Sequence, residues 1–345
     1  MTLTASARLR TPEEIALNAG ADLPRLLPPG ADVFAERALR LRELAAGHAM
    51  RDYLLLMAGV CEAQHAQLAR YPAVPLPTEA QADAAAEAGE PLLEATRWPR
   101  DPAWRTAWHE LVAQVLAQLP ADSPARAGVQ ALTQWDDTRL EQQADLLLAG
   151  ITPGLDLAAA PLVAAGLQLY FTHLVRATAA AQRQPFGITQ DATRCPCCGS
   201  LPTASVTRVG GEREGYRYLH CALCSAEWHM VRVKCTHCLG TGGIRYQALQ
   251  ALADAEPGSR REAVQAETCS VCQHYLKIVH MDRDLHVEPV ADDLASLTLD
   301  LLVSEEGFIR HGVNLMLLFG DSGEDGAAEA APTPPPESPS ERGRR

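Results

Sequence analysis

Residues 218–238 read "YLHCALCSAEWHMVRVKCTHC", two Cys-x-x-Cys pairs with ten residues between them. Whether Cys221, Cys224, Cys235 and Cys238 close one metal site together or belong to two decides the architecture. The intervening residues are strand-like, with Trp228 and Met230 on one face and Glu227, His229 and Val231 on the other. A strand of that length holds its ends roughly 30 Å apart at about 3.3 Å per residue. The stretch is therefore expected to bridge two sites.

Working outward, a pair Cys195/Cys198 precedes this stretch and a pair Cys269/Cys272 follows it. Two cysteines spaced by two residues wrap a tetrahedral ion as a knuckle whose amides point at the sulfurs. Two knuckles complete a four-cysteine site for zinc or a single rubredoxin-like iron. Sequential closure joins Cys195/Cys198 to Cys221/Cys224 and Cys235/Cys238 to Cys269/Cys272. A cross-braced arrangement, first pair with third and second with fourth, is the alternative that the intervening strand disfavours. In "CPCCGS", Pro196 stiffens the turn and Gly199 supplies a positive φ. Cys197 is read as a surface thiol on this knuckle rather than as a replacement ligand. Lys234 and Lys277, the two lysines of the chain, flank cysteine pairs and are expected to offset part of the −2 charge of an ion held by four thiolates.

Residues 11–193 are helical in pattern. Thr11, Pro12 and Glu14 open a helix. Asp32 caps the next, with Phe34, Ala38, Leu41 and Ala45 on one face and Gly47 as terminator. "MRDYLLLMAGVCEAQHAQL" follows, with Cys61 as a buried structural thiol beside Met57 and Leu68. "DPAWRTAWHELVAQVLAQL" carries Trp104, Trp108, Leu111 and Val115 on one stripe, between two Pro- and Ala-rich connections. Further helices are expected near Leu140–Leu148 and Pro161–Ala181. Beyond Arg194, the segments "YRYLH", "EWHMVRV", "GIRYQAL" and "YLKIVH" read as strands, and helix returns at "DDLASLTLDLL". The final stretch, rich in Pro, Glu, Ser and Gly, reads as a disordered tail.

The fold class expected is α+β, a mainly helical N-terminal domain followed by two tandem rubredoxin-like or zinc-ribbon metal modules and a C-terminal helix. The divisions are 1–190 helical, 191–232 and 233–289 the two ribbons, 290–320 a helix packing on them, and 321–345 the tail. No apolar leader opens the sequence and no apolar run is long enough to span a bilayer. A cytoplasmic protein without stable membrane insertion is expected, in which thiols stay reduced and no disulfide framework forms.

A net charge of −13 argues against a nucleic-acid binder. Arg194, Arg208, Arg213, Arg217 and Arg232 lie near the ribbons, but acids such as Glu212, Glu214 and Glu227 offset them. A zinc-ribbon nucleic-acid or transcription-associated protein is the alternative, and a rubredoxin-like electron carrier a further one. His220, His229, His237, His274 and His280 lie near the cysteines, yet four thiolates per ion leave no open position for hydrolysis. No phosphate loop or nucleophile motif is present. The reading is a binding protein, not an enzyme.

"RCPCCGSLPTASVTRV", "GYRYLHCALCSAEWHMVRVKCTHC", "AETCSVCQHYLKIV" and "DDLASLTLDLLVSEEGFIRHGVN", with "FAERALRLRELAAGHAMRDYLLLMAGVCEAQ" upstream, resemble the formate dehydrogenase accessory proteins, the FdhE family. The resemblance runs to about Gly320. It implies a cytoplasmic factor that binds the catalytic subunit of a twin-arginine-exported respiratory formate dehydrogenase before export. It also implies two metal ions, iron favoured and zinc possible, held by Cys195, Cys198, Cys221, Cys224, Cys235, Cys238, Cys269 and Cys272. Cys197 departs from the family pattern and is an accessory thiol. Glu305, Glu306, Phe308 and Arg310 are candidate partner-binding residues, against the alternative of a capping helix packed on the ribbons. A homodimer is left open.

Overall fold

The structure is a computed structural model and describes residues 24–182, 185–187, 191–210, 213–249 and 263–319. The opening helix expected at Thr11, Pro12 and Glu14 and the tail at 321–345 lie outside the described residues.

Seven helices build the described N-terminal half: α1 (Val33–Ala45), α2 (Arg51–Leu68), α3 (Glu79–Ala88), α4 (Ala103–Gln118), α5 (Arg126–Leu132), α6 (Asp137–Ala149) and α7 (Ala160–Ala181). The apolar stripes expected on α1 and α4 are buried, as is Cys61 on α2. The two Pro- and Ala-rich connections hold the short helices α3 and α5. Thr78 closes a capping box with Gln81 at the start of α3. Asp136 accepts a hydrogen bond from the Arg139 amide at the start of α6. Both satisfy amides that a helix leaves without partners. The central helix is α7, apolar on nearly every side and buried along most of its length. Gly166 lets it approach α4, because a Cβ there would stand 2.6 Å from Trp108 Cδ1.

The strands are β1 (Leu26–Leu27), β2 (Pro202–Thr207), β3 (Arg217–Cys221), β4 (Glu227–His229), β5 (Ile244–Gln247), β6 (Val264–Cys269), β7 (His274–His280) and β8 (Ile309–Arg310). They form one sheet in the order β1-β4-β3-β2-β7-β6-β5, with β8 beside β7. Two antiparallel ribbons, β2-β3-β4 and β5-β6-β7, are joined by parallel pairing of β2 with β7. The tandem modules thus share one sheet. The strand expected across "EWHMVRV" is confined to Glu227–His229, since the chain turns from Val231 onward.

After β7 come two short helices, α8 (Pro289–Ala295) and α9 (Leu297–Glu305), then a turn at Gly307 into β8. The C-terminal helical region is thus broken at Ser296 and followed by a strand.

Candidate metal centres

Each ribbon repeats one design. One cysteine pair lies in the loop before its first strand, and the other in the tight turn between its second and third. Cys221 and Cys224 occupy the β3–β4 turn, and Cys269 and Cys272 the β6–β7 turn. The residue after the second cysteine of every knuckle has positive φ: Gly199 (74°), Ser225 (57°), Leu239 (61°) and Gln273 (56°). Only the first is glycine, so three knuckles hold side chains in the sparsely populated left-handed region. The curled turns aim amides at sulfur: Leu223 and Cys224 donate to Cys221 Sγ at 3.4 Å, and His237 to Cys235 Sγ at 3.4 Å.

The thiols gather as two quartets, Cys195/Cys198/Cys221/Cys224 and Cys235/Cys238/Cys269/Cys272, with the sulfurs of each within 4.8 Å of one another. These are the sequential groupings. In the first, Cys195 and Cys224 sulfurs are 3.6 Å apart and those of Cys198 and Cys221 3.4 Å. In the second, Cys235 to Cys272 is 3.7 Å and Cys238 to Cys269 3.9 Å. A tetrahedral ion with metal–sulfur bonds of about 2.3 Å requires sulfurs roughly 3.8 Å apart. The two quartets could therefore hold two ions.

Their surroundings differ. The sulfurs of the first quartet are all buried and belong to the main core that also contains Trp104, Trp108 and α7. The helical domain grips its knuckles directly: Gln168 donates to Ala222 O at 2.8 Å and Thr172 to Cys224 O at 3.3 Å. The Leu93 and Ala95 amides donate to Cys197 O and Cys198 O at 2.9 and 3.0 Å. Burial pushes the Cys195, Cys221 and Cys224 thiols well above their ordinary range. An ion entering there must displace protons. The second quartet stands outside that core, with Cys238 exposed and Cys272 half-buried.

Cys197 is fully buried, which corrects its reading as a surface thiol. The 93–95 segment covers this knuckle. Lys234 and Lys277 do not serve as charge offsets for the clusters. Lys234 Nζ binds both Asp191 carboxylate oxygens at 2.6 and 2.7 Å. Lys277 is buried against Asp300 and Asp293 at 2.5 and 3.0 Å. Among the four candidate partner residues, Glu305 and Glu306 are exposed at the end of α9, whereas Phe308 packs on the sheet's second core. Arg310 is held by Asp293 at 2.8 Å and Asp300 at 3.4 Å. Phe308 and Arg310 are thus engaged within the fold, as in the capping alternative, and Glu305 and Glu306 are the two left exposed.

Sequence reasoning missed a set of buried ions that joins the domains. Arg37, on the apolar face of α1, is fully buried; it donates to Glu288 at 3.0 Å and Ser225 Oγ at 3.3 Å and meets His220 at 3.3 Å. Ser225 immediately follows Cys224, so α1 reaches the first cluster through this guanidinium. Arg40 binds both oxygens of Asp292 at 2.9 and 2.6 Å. Arg217 pairs with Glu267 and donates to Val231 O and Lys234 O at 2.8 and 2.7 Å. It thereby ties the first ribbon to the third knuckle. Burial works against a charge at Glu227, but Arg208 and His220 outweigh it and hold the carboxyl at about 2. The available signal was charge on an otherwise apolar face, as at Arg37 and Arg40 beside Phe34 and Leu41.

A helical domain closed over a strand-rich region with two four-cysteine clusters defines a two-cluster ribbon protein able to hold two ions. Family models described as "FdhE, N-terminal", "FdhE, central domain" and "FdhE, C-terminal domain" match residues 23–187, 194–232 and 233–317. The chain belongs to the FdhE family. It is 38% identical over 306 residues to a Protein FdhE homolog of Pseudomonas aeruginosa, covering 88% of this chain and 96% of that one. It is 36% identical over 298 residues to a Protein FdhE homolog of Klebsiella pneumoniae, covering 86% of this chain and 92% of that one. The crystal structure of the FdhE protein from Pseudomonas aeruginosa superposes with a TM-score of 0.71 at 36% identity, covering 86% of this chain and all of that one.

Proposed function

We propose that this protein is a cytoplasmic accessory factor that binds the catalytic subunit of a twin-arginine-exported respiratory formate dehydrogenase before export, without itself catalysing a reaction. Each cysteine quartet holds one ion, iron in preference to zinc, through all four of its sulfurs. The observation that carries this reading is the assembly of both quartets in a chain that matches FdhE from end to end of its described fold. Four thiolates complete a tetrahedral ion and leave no position for substrate, which favours a structural or sensing role over hydrolysis. Among the described residues no helix is long and apolar enough to cross a membrane. Reduced thiols at this density suit a cytoplasmic setting. Exposed Glu305, with Glu306 that accepts from Gln247 at 2.7 Å, offers acids to the partner at the end of α9. The nucleic-acid alternative is weakened because Arg208 and Arg217 are taken up by Glu227 and Glu267.

The test is anaerobic affinity capture of the tagged chain from formate-respiring cells, with bound proteins identified by mass spectrometry. Recovery of a formate dehydrogenase catalytic subunit, lost with Cys221→Ser/Cys224→Ser, is the expected outcome. Recovery of nucleic acid or transcription machinery without the dehydrogenase contradicts it.

A further inference from the structure

The second cluster has a feature that the first lacks. His237, His274 and Cys272 place ligand atoms within 4.8 Å of one another on its solvent side. The His237 and His274 rings stack at 3.6 Å and 5° between planes, and His311 stands edge-on to His237 at 5.1 Å. His274 Nδ1 donates to Cys272 O at 2.7 Å, since a carbonyl can only accept. That bond fixes the tautomer and leaves the Nε2 lone pair of His274 for a ligand, as backbone carbonyls do for metal-binding imidazoles. At the first cluster the nearby imidazole, His220, is occupied on both nitrogens by Arg37 and Glu227.

We propose that His237, His274 and the Cys272 thiolate form a third, outward-facing metal site for a divalent cation of borderline softness, such as zinc or cobalt. The site rests on the reading that the second quartet holds an ion, because Cys272 bridges the two metals. A thiolate bound to one ion keeps lone pairs for another, and one sulfur with two imidazoles suits a borderline ion. Electrostatics favours capture. An ion with four thiolates carries −2, and both lysines of the chain are bound to carboxylates elsewhere. A second divalent cation sharing one thiolate cancels that charge. With planes 5° apart, in-plane lone pairs of the two rings cannot both point at one ion as the rings stand, so binding requires the exposed His237 ring to turn towards it. Three protein ligands leave a coordination position for water or an incoming donor.

The test is anaerobic titration of the metal-free full chain with Co2+, followed by visible absorption and equilibrium dialysis. Three equivalents are expected, two tight ones with all-sulfur spectra and a weaker third with mixed nitrogen–sulfur character. His237→Phe and His274→Phe keep an aromatic ring in the stack and should each lose only the third. Retention of the first two certifies that each variant folds. Saturation of the unaltered chain at two equivalents overturns the proposal, as does persistence of the third in both variants. Fewer than two equivalents in the unaltered chain overturns this proposal together with the two-ion reading, so the two failures are distinguishable.

Discussion

Gly199 and Leu239 occupy equivalent places in two knuckles, and the cost of changing each has a different origin. At Gly199, φ is +74° and an added Cβ would collide with the Glu94 carboxylate. The Glu94 carboxylate is the end of a half-buried, flexible side chain and can swing aside, so the cost of Gly199→Ala is chiefly left-handed strain, about 1–2 kcal/mol. At Leu239 the same backbone already carries a side chain. Leu239→Gly relieves that strain but gives up the half-buried leucine's packing against the main core and adds unfolded-state freedom, so it should be destabilising by about 1 kcal/mol. Denaturant melts of the metal-loaded variants check both costs. Glu227 makes a pH prediction. Its folded-state pKa, about 2, lies below the ordinary 4.5, so folding favours its ionised form. The stabilisation is complete above about pH 5 and disappears as pH falls from about 4.5 toward 2. Glu227→Gln should cost about 2 kcal/mol at about pH 7, the scale of a hydrogen bond to a charged group. That difference should shrink in melts run at progressively lower pH; a constant difference would show that the charge is irrelevant.

Among the elements, α7 decides how the helices sit on the ribbons. It packs on α4 through Gly166 and donates from Gln168 and Thr172 to the knuckle of the first cluster. Gly166→Ala must displace the Trp108 indole, which is itself fixed by its hydrogen bond to Leu162 O at 2.9 Å. Overpacking of this kind costs about 1–3 kcal/mol, and should reduce metal retention at the first cluster more than at the second. Chelator competition on the purified variant measures that difference; equal loss from both clusters would contradict the route through α7. Elements were legible where one physical signal dominated. The Trp104–Trp108–Leu111–Val115 stripe marked α4, and cysteine spacing marked the knuckles. Strands β2 and β6 escaped notice because their alternation is weak in contrast: Pro202, Ala204 and Val206 in "PTASVT" and Val264 and Ala266 in "VQAETC" are mostly small, and the polar residues between them are nearly all buried too. Arg37 escaped for a different reason: Glu288 lies 251 residues away, and nothing local distinguishes a guanidinium bound for a buried carboxylate from one bound for water. Cys197 read as exposed because its cover comes from residues 93–95, on the far side of four helices.

At the scale of the whole molecule, the two clusters are equivalent in ligands and unequal in setting. The first is part of the helical core, and ions at Arg37, Arg40 and Arg217 lock that core to the sheet and the sheet to the third knuckle. The second lies at the surface beside the stacked histidines. One cluster is placed to hold the domains together and the other to meet solvent or a partner. The sequential pairing of the cysteines is the claim on which this division stands. It is tested most directly by counting tightly held ions, after anaerobic purification and desalting, in the unaltered chain and in Cys235→Ser/Cys238→Ser/Cys269→Ser/Cys272→Ser. Sequential pairing predicts two ions per chain and one in the variant, held by Cys195, Cys198, Cys221 and Cys224, whereas cross-bracing breaks both sites and leaves none. A single ion in the unaltered chain, or a variant that holds none, would contradict it.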